Sequence, residues 1–116
     1  MLSTTYWTLG AKPNEADRNF KQSQMGHACE WETSMMLRLA PHLVGDYQRA
    51  EPVEFGTSFE PADRGWAMED RSAPGHVGDP RSASAAKGET LLRAFSESVA
   101  TFLERAVAWD GRSWNG

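Results

Sequence analysis

The clearest pattern in the chain lies toward its C-terminal end. Leu91, Leu92, Phe95, Val99, Phe102, Leu103 and Ala106 recur at spacings of three and four, so they share one face of a helix. Asp79 is placed to cap that helix and Pro80 suits its first position, which predicts a span from about residue 80 to 107. Lys87, Glu89, Arg93, Glu97, Glu104 and Arg105 fall elsewhere on the surface and read as a solvated face. A second periodic run opens at Glu30, with Met35, Met36, Leu39 and Leu43 near the same spacings. Pro41 lacks an amide proton and crowds the preceding turn, so this helix is expected to end near Leu39 or Ala40. Met35 and Met36 read as core packing.

The remaining segments are weaker. Residues 2–9 (LSTTYWTL) are rich in β-branched and aromatic types, which predicts a short strand ending near Gly10. Pro13 fits the first turn of a short polar helix reaching about Gln22, with Glu15 and Asp17 near its positive end. Residues 51–78 hold Pro52, Pro61 and Pro74 and read as an extended loop, with a strand near Val53–Phe55.

Composition narrows the class without naming a function. A chain of 116 residues, 40% hydrophobic and 24% charged, suits one soluble domain or part of a larger one. A net charge of −4 with no basic stripe argues against nucleic-acid binding. No apolar run is long enough for a membrane helix. The N-terminus lacks the basic-then-apolar pattern of a secretory signal, and the lone Cys29 excludes an internal disulfide, so a cytoplasmic setting is expected. The chain divides into a domain over 1–108 and a tail over 109–116, whose Trp109 and Trp114 either pack on another subunit or fray.

The reactive residue types concentrate in Gly26-His27-Ala28-Cys29-Glu30-Trp31-Glu32-Thr33-Ser34. Imidazoles ordinarily titrate near neutrality, so a histidine on a Gly-bounded loop suits general acid–base work. It also suits a metal, but His27, Cys29 and Glu30 match no strong zinc spacing. The plain structural alternative is a loop histidine bonded to a main-chain carbonyl. Cys29 at a helix start would make a nucleophile if its thiolate were stabilised there, though cysteines more often act as small apolar side chains. Glu32, Thr33 and Ser34 read first as helix-start chemistry. His42 and His76 are isolated, and Gly78-Asp79-Pro80-Arg81 lacks the spacing and lysine of a phosphate loop.

The run from Gly26 to Leu37 resembles the signature of the creatininase (creatinine amidohydrolase) family, a His-Ala pair followed by Glu-Thr-Ser at the start of an apolar helix. Thr5-Tyr6-Trp7 resembles that family's upstream Tyr-Trp strand. Gly75-His76-Val77-Gly78-Asp79-Pro80, followed by Ala83, Ala85 and Lys87-Gly88-Glu89, resembles the start of its last helix. The resemblance implies an α/β fold, a layered sheet with flanking helices, of which this chain is the C-terminal portion. It implies a usually hexameric assembly and divalent-metal hydrolysis of an amide or cyclic amide, with zinc or manganese as the cofactor. His27 would transfer a proton, Trp7 and Gly26 would contact substrate, and Glu32 would brace the His27 loop.

Where creatininase itself carries a tryptophan, an aspartate and a glutamate, this chain has Ser23, Gln24 and Gly26, which points to a small amide other than creatinine. The family's metal ligands belong to its N-terminal half, so no metal ligand is assigned here. A complementary chain carrying them, a homo-oligomer, or both are the expected partners. Two other readings stand beside this one: a non-catalytic structural or regulatory subunit, and a thiol hydrolase built on Cys29 and His27.

Overall fold

The computed structural model describes residues 1–114. Four α-helices are present: α1 (Pro13–Ala16), α2 (Glu30–Leu39), α3 (Met68–Arg71) and α4 (Ala85–Ala108). Short 3-10 turns at Tyr6–Thr8, Pro41–Leu43, Tyr47–Arg49 and Pro80–Ser82 connect them. No strand forms among the described residues, where pairing is confined to isolated antiparallel bridges, His27 with Val77 and Val53 with Gly78. The layered sheet expected from the resemblance is therefore not formed within this segment, which is mostly helical.

The architecture rests on α2 crossing α4. Gly88 sits at the crossing, and a Cβ there would fall inside the carbonyl oxygen of Ser34 and 2.9 Å from the Arg38 Cβ. Only a bare backbone lets the two helices approach so closely. Ser34 is buried and its hydroxyl accepts from the Ser84 amide at 3.0 Å, joining the entry of α4 to the middle of α2. Beside the crossing, Phe20, Cys29, Trp31, Leu91 and Phe95 form the core, with Tyr6, Ala11, Met25 and Met35 against it. The rings meet edge-on or tilted: Phe20–Trp31 at 6.2 Å, Trp31–Phe95 at 5.9 Å and Tyr6–Phe95 at 5.2 Å.

Several sequence expectations change here. The segment 2–9 makes a 3-10 turn and no strand, because the Thr8 amide and hydroxyl both bond the Thr5 carbonyl, at 3.1 and 2.9 Å. β-propensity expresses itself only where a neighbouring strand exists. Helix α1 stops at Ala16, well short of Gln22, since the Asp17 side chain accepts from the Asn19 amide at 2.9 Å and diverts the backbone. Helix α4 begins at Ala85 and not near 80: Pro80 starts a separate turn, and Ser84 is the cap, accepting from the Lys87 amide at 3.2 Å. Asp79 spends its carboxylate on the Ser82 hydroxyl at 2.5 Å.

On α2 the buried positions are Glu30, Trp31 and Ser34, while Met36 and Leu39 stand exposed, so the methionine pair is divided between core and surface. The long loop matches expectation except that it contains α3 and that, in place of a strand near Val53–Phe55, it makes only isolated bridges through Val53, Val77 and Gly78. In the tail, Trp114 folds back on its own helix, 5.6 Å from the Phe102 ring and 5.9 Å from Trp109, with the Arg105 guanidinium 4.2 Å over its face. Residues 115–116 of that tail lie outside the described residues.

Candidate functional site

The site is the junction where the loop 24–29 enters α2. Its main chain is fixed from both sides. His27 exchanges two backbone bonds with Val77, donating at 3.0 Å and accepting at 2.8 Å. Gly26 lies against the Val77 carbonyl so closely that a Cβ would overlap it. Ala28 adopts φ +46°, a left-handed conformation unusual for a residue with a Cβ. Two bonds compensate: the Ala28 amide donates to Glu32 Oε2 at 2.6 Å, and the Thr33 hydroxyl donates to the Ala28 carbonyl at 3.1 Å. With its backbone tied, His27 directs an exposed imidazole to solvent.

A buried polar network supports this junction from behind. The Glu30 carboxylate is fully buried and accepts from the Lys21 amide at 2.9 Å, the Gln22 amide at 2.7 Å and the Lys87 ammonium at 2.6 Å. Lys87 also donates to the Ser82 carbonyl at 2.6 Å and lies 5.7 Å from the centre of the Phe20 ring. Its expected place on a solvated face is thus corrected: the aliphatic stem passes inward because a buried carboxylate needs a counter-charge. Gln22 Oε1 accepts from two amides distant in sequence, Glu30 at 3.0 Å and Asp79 at 2.8 Å. Gly78, at φ +110°, leaves room for that amide, since a Cβ would lie 2.5 Å from Gln22 Oε1.

The remaining candidates separate clearly. Glu32 accepts from the Ala28 amide at 2.6 Å. Trp7 is 38% exposed on the N-terminal turn, 4.8 Å edge-on from Tyr6. Tyr6, given no site role by the sequence beyond the Thr5-Tyr6-Trp7 block, has its phenol pushed above the ordinary value of 10.0, first by burial and then by the charges of Glu32 and Cys29. Cys29 has no exposed surface; its sulfur accepts from the Gly26 amide at 3.4 Å and faces Met25 Sδ at 3.9 Å. A thiol enclosed in this way is out of reach of a substrate, which removes the geometric basis of a thiol hydrolase. His76 is buried with Nε2 2.6 Å from the Glu51 carbonyl, a structural arrangement, and His42 is exposed.

The residues present do not fit a metal centre. Among the described residues no three His, Cys, Asp or Glu side chains converge as ligands. Glu30 is saturated by amides and Lys87, Glu32 holds the Ala28 amide, and Cys29 is enclosed. A hydrolytic metal requires about three protein ligands and an open position.

The His-Ala pair, the Glu-Thr-Ser helix start and the Gly-Asp-Pro turn, the sequence blocks that carry the family resemblance, meet at this junction. The model of the family described as creatinine amidohydrolase matches residues 1–103, and the chain belongs to this creatininase family. No curated protein and no solved structure matches it. That family is one of amidohydrolases and is generally metal-dependent. Among the described residues no helix is long and apolar enough to cross a membrane.

Proposed function

We propose that this chain supplies the proton-transfer histidine and part of the pocket wall of a metal-dependent amidohydrolase cleaving an amide or cyclic-amide C–N bond. The observation that carries this reading is the presentation of His27, an exposed imidazole on a backbone held by Val77, Glu32 and Thr33. An amide nitrogen leaves poorly until it gains a proton. An imidazole held in place is suited to deliver one, and such general acid–base help is worth about 10²–10⁴-fold. Gly26 and Trp7 would contribute walls to the pocket, and Glu32 fixes the loop without touching substrate. Ser23, Gln24 and Gly26 before the histidine favour a small amide other than creatinine, such as a formamide or a peptide-like bond.

The metal, zinc or manganese, belongs on this reading to a complementary chain, because the described residues offer no ligand set. The setting would be cytoplasmic, consistent with one free, buried cysteine. The test is to isolate the native assembly, weigh it intact, assay its metal and follow hydrolysis of a panel of formamides and lactams. A second polypeptide and bound metal are expected, and His27→Ala should cut turnover by about 100-fold with the circular dichroism unchanged. Full turnover in His27→Ala would sink the catalytic role. A metal-free assembly of this chain alone, inert toward amides, would leave it a structural subunit.

A further inference from the structure

The long loop between Val53 and Gly78 is clipped beside the histidine loop. Val77 exchanges backbone bonds with His27, and Gly78 with Val53, at 2.8–3.0 Å. Three short stretches of chain thus lie side by side. Chains bonded in this way stand about 4.8 Å apart, which puts the Val53 backbone about 10 Å from that of His27. Farther along, the Arg71 guanidinium donates to the Phe55 carbonyl at 3.2 Å and closes the base of the segment 56–70.

Between that segment and the histidine loop is an open hollow of about 320 Å³. Gln24 and Met25 line it from one loop, and Phe59, Arg64, Trp66 and Arg71 from the other. Gln24 precedes His27 by three residues, a span of at most about 11 Å, so one small ligand can bridge the hollow and the histidine loop. The Arg64 guanidinium lies 3.5 Å from the centre of the Trp66 ring and 5.5 Å from that of Phe59. Stacking on a ring uses the face of a guanidinium and leaves its N–H edge free. Arg71 uses one N–H on Phe55 and keeps the others.

Among the described residues neither guanidinium joins an ion pair, although Glu60 and Asp63 border the same hollow. A guanidinium edge matches a carboxylate, two N–H groups to two oxygens. The two acidic side chains balance the two arginines, so a second negative charge on the ligand would meet repulsion. The hollow therefore suits a single carboxylate carried beside N–H donors, and not a dianion such as a phosphate. Phe59 and Trp66, 46% and 38% exposed, add apolar surface for a side chain.

We propose that this hollow anchors the carboxylate of an N-acyl amino acid, through Arg64 and Arg71, and so directs its amide bond toward His27. The inference rests on the proposed hydrolysis and narrows the small amide to one that bears a carboxylate. With a formyl amino acid, water would add its hydroxyl to the formyl carbon as the C–N bond breaks. The departing nitrogen would take up the protons, giving formate and the free amino acid.

Titration calorimetry of the whole chain tests it, with N-formylphenylalanine as ligand and its uncharged primary amide for comparison. The acid should bind about tenfold more tightly than the amide. Arg64→Gln and Arg71→Gln should each bring the acid close to the amide's affinity and leave that of the amide unchanged. Arg64→Gln keeps the test open should Arg71→Gln loosen the loop, since Arg71 also holds the Phe55 carbonyl. Equal affinity for acid and amide overturns the proposal, as does no binding of the acid up to about 10 mM. So does a preference that survives both substitutions, or inorganic phosphate that binds more tightly than the acid. The titration requires neither metal nor turnover. Loss of the carboxylate preference would leave the role of His27 standing, and an inert His27 would leave the preference measurable.

Discussion

At the scale of single residues, Ala28 and Glu32 show how the reactive loop is held. A left-handed alanine costs about 1–2 kcal/mol against the right-handed form. The amide bond to Glu32 and the hydroxyl bond from Thr33 at the same residue offset that cost. Glu32 has a second, electrostatic effect, since its charge adds to burial in raising the Tyr6 phenol. Glu32→Gln keeps a hydrogen-bond acceptor but removes the charge. Tyrosinate absorbance in a Tyr47→Phe background should therefore show the Tyr6 midpoint moving down toward 10.0 without reaching it, because burial, the larger cause, remains. The sign for stability follows from a folded value above the unfolded one. The contribution is present in full below pH 10.0 and is lost as pH rises through the folded value. An unchanged midpoint in Glu32→Gln would mean that the Glu32 charge does not reach the phenol.

At the scale of elements, the Glu30–Lys87 pair ties the first turn of α2 to the first turn of α4. Lys87→Met should cost about 3 kcal/mol in urea denaturation by leaving a buried carboxylate without its counter-charge. Glu30→Gln added to it should recover part of the loss, and a single-variant cost below about 1 kcal/mol would show the pair to be solvated like a surface bridge. This pair also marks the limit of what the sequence makes legible. Helix α2 could be read because Pro41 enforces its end, and the His27–Glu32 junction because its reactive types are contiguous. The partners of Glu30 could not, since Lys87 lies 57 residues away and periodicity reports a helix face, not the element that covers it. Asp79-Pro80 was a plausible helix start that Ser84 displaced, and residues 2–9 had strand composition with no strand beside them. Tyr6 stood out only as part of the Thr5-Tyr6-Trp7 block, because its unusual surroundings are assembled from α2, α4 and the N-terminal turn.

At the scale of the whole molecule, α2 and α4 form a layer whose inner face is packed and whose outer face leaves Leu103 and Val107 exposed. A layered α/β fold would set a sheet against its helices, and none is formed within residues 1–114. The described residues therefore place the His27–Glu32 junction and α4 in a mostly helical body. Gln22 Oε1, shared between the Glu30 and Asp79 amides, has a further consequence for how that body forms. The loop bearing His27 closes only after residues 77–79 have travelled back across the chain, so it should be among the last features to organise during folding. By the same logic, the His27 and Val77 amides should exchange with deuterium through one shared opening, with equal protection factors, while the Thr33 amide inside α2 is protected more strongly. Unequal protection of the first two would mean that the reactive loop can open without releasing the far end of the chain.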